Sequence, residues 1–211
     1  MNRIRELAIC YISLDLTNMI KSKEELKYYI QQDRLMNGYP AKRRISEVVK
    51  NIIFLNAITH LRYLRKLEYY TNVPTVAGRL FKAYYDLKLR ISSRKLGYYI
   101  GVNSCGPGLS LPHYGTIIIS AEAKLGKNCR VHVCVNIGRS GGGKKAPQIG
   151  DNVYIGPSCV LFGDIKVANN VTIGANATVN KSIEQENVVI AGTPAKIVKT
   201  NYPNWVEFNR E

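Results

Sequence analysis

The sequence predicts two halves of different class, an α-helical N-terminal domain followed by a coil of short parallel β-strands. Branched aliphatic residues recur every six positions, at Ile119, Leu125, Val131 and Ile137. The same phase resumes at Ile149, Ile155, Leu161, Val167, Ile173 and Val179. Four residues after each, wherever the repeat is unbroken, stands a small or apolar side chain: Ala123, Cys129, Val135, Val153, Cys159, Ile165, Val171, Ala177 and Ile183. Before Gly97, by contrast, apolar residues follow the helical period. The expected divisions are 1–97 for the helical domain, 98–199 for the coil and 200–211 for a C-terminal tail.

Three helices are expected in the first part. In "KSKEELKYYIQQDRLMNGYP", Ser22 and Glu25 have the spacing of a capping box, and Gly38 and Pro40 supply the stop. From about Ser46 to Tyr70, apolar residues at 52, 55, 58, 61, 64 and 67 mark one face, with no Pro or Gly to interrupt it. A third helix follows Pro74, with Val76, Leu80, Tyr84, Leu87 and Ile91 on one face and Gly97 near its end. These stripes are read as core. His60, inside the second helix, is read as a polar helix residue.

After Gly97 a helix is a poor reading, because a six-residue period drifts around a 3.6-residue turn and the Gly and β-branched content opposes it. A simple antiparallel sheet would alternate by two, which this region does not sustain. What remains is a stack of coils, each burying two side chains per six residues against the next. Glycines directly after the aliphatic position, at 126, 138, 150, 156 and 174, suit turns that need a positive φ or a close backbone approach. Cys129 and Cys159 fall on the inward phase and are read as small core residues.

Composition narrows the class. The chain has 211 residues, 45% of them hydrophobic, which suits a globular protein rather than a disordered one. No apolar run reaches the roughly 18 residues of a membrane span, and "LAICYISLDLTNMI" contains Asp15 and lacks a cleavage pattern, so a cytoplasmic protein is expected. Five cysteines, at 10, 105, 129, 134 and 159, show no CxxC spacing; free thiols and no metal site are expected. The net charge of +15 is concentrated in residues 1–98, with 19 Lys and Arg against 8 Asp and Glu. No nucleic-acid motif accompanies it, so no nucleic-acid partner is expected. A solvated basic face is the simplest reading; weak association with an anionic membrane surface, or with phosphorylated metabolites, is the alternative.

The stretches "DRLMNG", "LRKLEYY", "LPHYGTIIIS", "NIGRSGGGKKAPQIGDNVYIGP" and "VIAGTPAKIV" resemble the hexapeptide-repeat acyltransferases. Within them the likeness is to serine O-acetyltransferases and the related acetyltransferases of surface-polysaccharide pathways. The resemblance implies a left-handed parallel β-helix of triangular section, acetyl-CoA as co-substrate and assembly as a homotrimer or a dimer of trimers. His113 falls where the family keeps its catalytic histidine. An imidazole, with a pKa near 6.5, suits removal of an alcohol's proton as it attacks a thioester.

By position, Gly138, Pro157 and Ala175 match backbone contacts to CoA, and Lys196 matches a basic residue near its phosphates. Lys144 and Lys145 are further candidates. They lie in "GRSGGGKKAPQ", an excursion that leaves the hexads and rejoins them in phase, as a mobile loop over a site would.

Two departures bear on the acceptor. Ala146 stands where serine acetyltransferases place a second histidine, and Pro112 where they place an Asp beside the catalytic one. Residues 98–112 contain no Asp or Glu, so a backbone carbonyl or a carboxylate from elsewhere is required to orient His113. His132 follows the inward Val131 and so points outward; a surface histidine is the simpler reading, a place near the same groove as His113 the alternative. The acceptor is a small-molecule hydroxyl, serine or a sugar; N-acetyl transfer to an amino sugar and a non-catalytic trimeric scaffold are the competing readings.

Overall fold

A computed structural model describes residues 19–41 and 55–208. Helix α1, Lys23–Met36, opens with the expected capping box: Ser22 Oγ accepts from Glu25 N at 3.0 Å and Glu25 Oε2 from Ser22 N at 3.1 Å. It closes at Asn37, one residue before Gly38. Helix α2, Ala57–Asn72, starts much later than the Ser46 expected from its stripe. Asn56 is extended there, with φ −134°, and its side chain caps Thr59 N at 2.9 Å. Residues 46–54 lie outside the described residues.

Helix α3, Val76–Leu96, is capped by Thr75 and ends at Gly97 in the left-handed conformation, φ 79°. Its expected core stripe is a correction. Val76, Leu80, Tyr84, Leu87 and Ile91 are exposed, and α3 meets the rest of the protein through Gly78, Leu89, Ser92 and Leu96. Helical period reveals an apolar stripe, but not whether a partner lies over it.

From β1, Tyr98–Ile100, the chain becomes a stack of parallel strands. The first sheet orders β1, β2 (Ile117–Ile119), β5 (Val135–Gly138), β8 (Val160–Phe162) and β11 (Thr178–Val179). The second contains β3 (Lys124–Leu125), β6 (Gln148–Ile149) and β9 (Lys166–Val167). The third contains β4 (Arg130–Val131), β7 (Tyr154–Ile155), β10 (Thr172–Ile173), β12 (Val189–Ala191) and β13 (Lys196–Lys199). From β2 to β10 the chain visits the three sheets in rotation. All pairings are parallel except β12 with β13.

The hexad is therefore one step around the coil, and each face contributes its own column of aliphatic residues. Ile119, Ile137, Leu161 and Val179 stack through the first sheet. Leu125, Ile149 and Val167 stack through the second, and Val131, Ile155, Ile173 and Ile190 through the third. All are buried, as are Cys129 and Cys159 on the companion phase, where burial pushes both thiols up and leaves them inert near neutral pH. The glycines after the column serve close approach rather than positive φ: a Cβ on Gly156 would stand 2.8 Å from Ile173 O. Positive φ falls instead to Asn128, Asn152 and Asn170, at 54–59°. Their side chains form a ladder, Asn128 Nδ2 to Asn152 Oδ1 at 3.1 Å and Asn152 Nδ2 to Asn170 Oδ1 at 3.0 Å.

Helices and coil are joined through one buried cation. Arg65 Nε donates to Asp33 Oδ2 at 2.8 Å and Nη1 to Glu68 Oε2 at 3.1 Å. The same guanidinium reaches Cys105 O and Gly106 O, each at 2.7 Å. Asp33 Oδ1 accepts from Gly108 N and Leu109 N at 2.9 Å, and Glu68 Oε1 from Asn103 N at 2.9 Å. Nearby, His60 lies in helix α2 as expected and is fully buried, with Nδ1 2.8 Å from Ser92 Oγ and its ring edge-on to Tyr98. Burial lowers its pKa to about 4.

Two outcomes follow for stability. Arg65→Ala leaves two buried carboxylates without their cation and should cost about 3–5 kcal/mol in chemical denaturation. His60 binds a proton in the unfolded chain below about pH 6.5 but resists it in the folded one until about pH 4. Stability should therefore fall by roughly 3 kcal/mol as pH drops through that window, and His60→Asn should flatten this limb in thermal melts recorded between pH 7 and 4.

Candidate active site

The segment that carries His113 is held from three directions. At the end of α1, Asn37 Nδ2 donates to Leu109 O at 2.8 Å, and Asn37 Oδ1 accepts from Leu111 N at 2.9 Å. From β1, Tyr98 Oη donates to His113 O at 2.9 Å. Just beyond, Gly115 N donates to Leu96 O at 3.0 Å. Gly115 has φ 133° and lies against the Val133 side chain, so both its conformation and its space exclude a Cβ.

The His113 side chain is exposed, at the edge where the third sheet turns into the first. Its neighbour is the ring of His132, centroid to centroid 5.6 Å, and His132 in turn lies 4.9 Å from the ring of Tyr154. His132 departs from the surface reading and lies beside His113: it is half-buried, and its Nε2 has no hydrogen-bond partner among the described residues. Burial, then the charge of Arg130, then His113 lower its pKa, so the ring is neutral near pH 7. No carboxylate is hydrogen-bonded to the His113 ring among the described residues. Backbone bonds hold the His113 segment, and the ring beside its side chain is an imidazole.

Neither Arg130 nor Trp205 is marked out by the sequence reading. Arg130 Nε donates to Ser110 Oγ at 3.2 Å, and its guanidinium lies 4.2 Å from the centroid of the Trp205 ring. Trp205 opens a short helix, α4 (Trp205–Phe208), and donates Nε1 to Asn128 O at 2.9 Å. The residues after β13 are thus folded back against β4. The one available signal was that Trp205 is the only tryptophan in the chain.

The remaining candidate residues divide into two groups. Backbone bonds stack the turns of one edge: Cys134 N to Thr116 O at 2.6 Å, Ser158 N to Val133 O at 3.0 Å, and Asn176 N to Pro157 O at 2.9 Å. Pro157 and Ala175 therefore share the edge of His113. Lys196 begins β13, beside the last turns of this edge, where Ala195 N donates to Thr178 O at 2.8 Å. Gly138 instead ends β5 at the opposite border of the first sheet, donating nothing to the His113 edge and accepting from Gly163 N at 3.2 Å. The excursion that follows carries Lys144 and Lys145 on that border; Lys145 Nζ pairs with Asp164 Oδ2 at 2.9 Å on the exposed surface. Ala146, at its end, is buried.

Comparison with known proteins agrees with this architecture. Residues 146–181 match the family model described as bacterial transferase hexapeptide (six repeats). A serine acetyltransferase of Staphylococcus epidermidis is 28% identical over 187 residues, spanning 85% of this chain and 78% of that protein. One from Staphylococcus aureus is also 28% identical over 187 residues, with the same coverage. Among solved structures, serine acetyltransferase of Neisseria gonorrhoeae in complex with serine superposes with a TM-score of 0.62 at 25% identity, over 84% of this chain and 70% of that one. The Brucella abortus serine acetyltransferase in complex with coenzyme A has a TM-score of 0.65 at 22% identity, over 86% and 71%, a likeness of fold. In its rotating parallel strands, hexad columns and helical N-terminal region, the chain is similar to the hexapeptide-repeat serine acetyltransferases.

Proposed function

We propose that this protein is an acetyl-CoA-dependent O-acetyltransferase built on a left-handed β-helix, with His113 as its general base. The observation that carries the reading is the edge itself: an exposed histidine with a fixed backbone, beside a neutral imidazole, on the same stack of turns as Pro157 and Ala175. The acceptor hydroxyl gives its proton to His113 as its oxygen attacks the thioester carbonyl. Collapse of the tetrahedral intermediate breaks the carbon–sulfur bond, and the imidazolium returns the proton to the departing thiolate. The developing oxyanion needs a fixed donor, and the exposed backbone of neighbouring turns is where such donors lie.

CoA would run along the coil past Pro157 and Ala175, with Gly138 at the opposite border and Lys144, Lys145 and Lys196 near its phosphates. Because Gly138 and the two loop lysines stand across the first sheet from His113, one protomer does not close the site. A homotrimer, in which one protomer's loop border faces its neighbour's His113 edge, assembles both groups; a dimer of trimers is the larger form. Residues 1–97, 98–199 and 200–211 act as helical domain, catalytic coil and tail, and the protein works in the cytoplasm.

The acceptor is a small-molecule hydroxyl. Serine is the acceptor suggested by the relatives. A sugar hydroxyl is the second reading, favoured by Ala146: a buried alanine offers nothing to an amino acid's charged groups where a histidine would.

His113→Ala should lower kcat by about 10²–10⁴-fold while CoA affinity stays within about twofold. The measurement is acetyl-CoA consumption with serine, homoserine, simple sugars and nucleotide sugars, paired with calorimetry. Unchanged turnover in the variant overturns the assignment of the base, and absence of CoA binding in the wild type favours a scaffold.

A further inference from the structure

Helix α3 has two apolar faces, and the protein's own core uses one of them. Gly78, Leu89, Ser92 and Leu96 are buried. At about 100° per residue, Val76, Leu80, Leu87 and Ile91 fall on the opposite side. Val76 is 87% exposed, Leu80 79% and Leu87 57%. The stripe runs along four turns of helix, about 22 Å. Single exposed leucines are ordinary, whereas a contiguous apolar stripe marks a surface that something covers.

The charges beside the stripe identify what covers it. Arg79 and Arg90 follow one border, Lys88 and Lys95 the other. Over its whole length α3 carries six Lys and Arg against a single acid, Asp86, and Asp86 is already paired with Arg90 at 2.8 Å. A second copy of α3 laid on the stripe would set these cations against themselves along both borders. An anionic bilayer meets both halves of the pattern. Its acyl boundary takes the apolar stripe, its acidic headgroups take the flanking Arg and Lys, and the half-exposed Tyr84 ring suits the interface between them. Among the described residues, no helix is long and apolar enough to cross a membrane, so α3 would lie flat.

We propose that α3 is an interfacial helix that seats this protein on a membrane surface rich in acidic phospholipid. The inference stands on α3 alone and does not depend on acyl transfer. Co-sedimentation with phosphatidylcholine vesicles, with and without about one-third phosphatidylserine, should show at least about tenfold stronger partition onto the acidic vesicles, weakening as salt rises. Leu80→Glu/Leu87→Glu, both on the exposed stripe, should abolish that binding with circular dichroism and acetyl transfer unchanged. Arg79→Gln/Lys88→Gln/Arg90→Gln/Lys95→Gln, which keeps the stripe, should lose the preference for phosphatidylserine. Equal partition onto both vesicles, or wild-type binding by Leu80→Glu/Leu87→Glu, overturns the proposal. So does light scattering in which Leu80→Glu/Leu87→Glu halves the particle mass, since the stripe would then be a seam between copies.

Discussion

The arrangement of this protein depends on one planar cation. Arg65 is wholly buried, and its guanidinium binds an acid from α1, an acid from its own helix and two carbonyls from the first, irregular coil. A lysine ammonium could balance the charge but not hold four acceptors in one plane. The two carboxylates exceed the cation by one charge, and the backbone N–H groups of Asn103, Gly108 and Leu109 take the remaining oxygens. Helices α1 and α2 are thereby fixed to residues 103–109. One turn further along α1, Asn37 fixes residues 109 and 111, so the placement of His113 descends from the same cluster.

The coil supplies a different kind of order. Its aliphatic columns leave little freedom along the axis, since each inward side chain rests on its counterpart in the turn before and the turn after. Chemistry placed on an edge of such a stack inherits that rigidity. The excursion at 138–148 is the exception: added Cβ atoms at Gly141 or Gly142 would meet nothing within 4 Å. The coil thus pairs a rigid edge with a border that has open space around its glycines.

Periodicity made the coil legible because a six-residue repeat with two inward positions has few competing explanations, and each residue of the main column is buried as its phase requires. The capping box of α1 and the Gly97 stop of α3 were legible for a similar reason, each being a local pattern with a local cause. What failed depended on partners distant in sequence. An apolar stripe on α3 states amphipathicity without stating which side meets the core. His132 looked like a surface residue because alternation places it outward; the rings of His113 and Tyr154, from other turns, are what half-bury it. Arg65 and Asp33 sit 32 positions apart, and nothing in either neighbourhood marks them as a pair.

The last strand has a consequence for assembly. A solenoid of parallel strands ends in an open sheet edge that could template another molecule's strand, and repetition of that contact would build fibres rather than closed particles. Strand β13 reverses direction and lies antiparallel on β12, with a register shift between Val189 and Ile190. The edge it presents carries Lys196 and Lys199, both exposed. Whatever number of copies this protein forms, continuation of the third sheet along the coil axis meets a strand of opposite sense that bears charge.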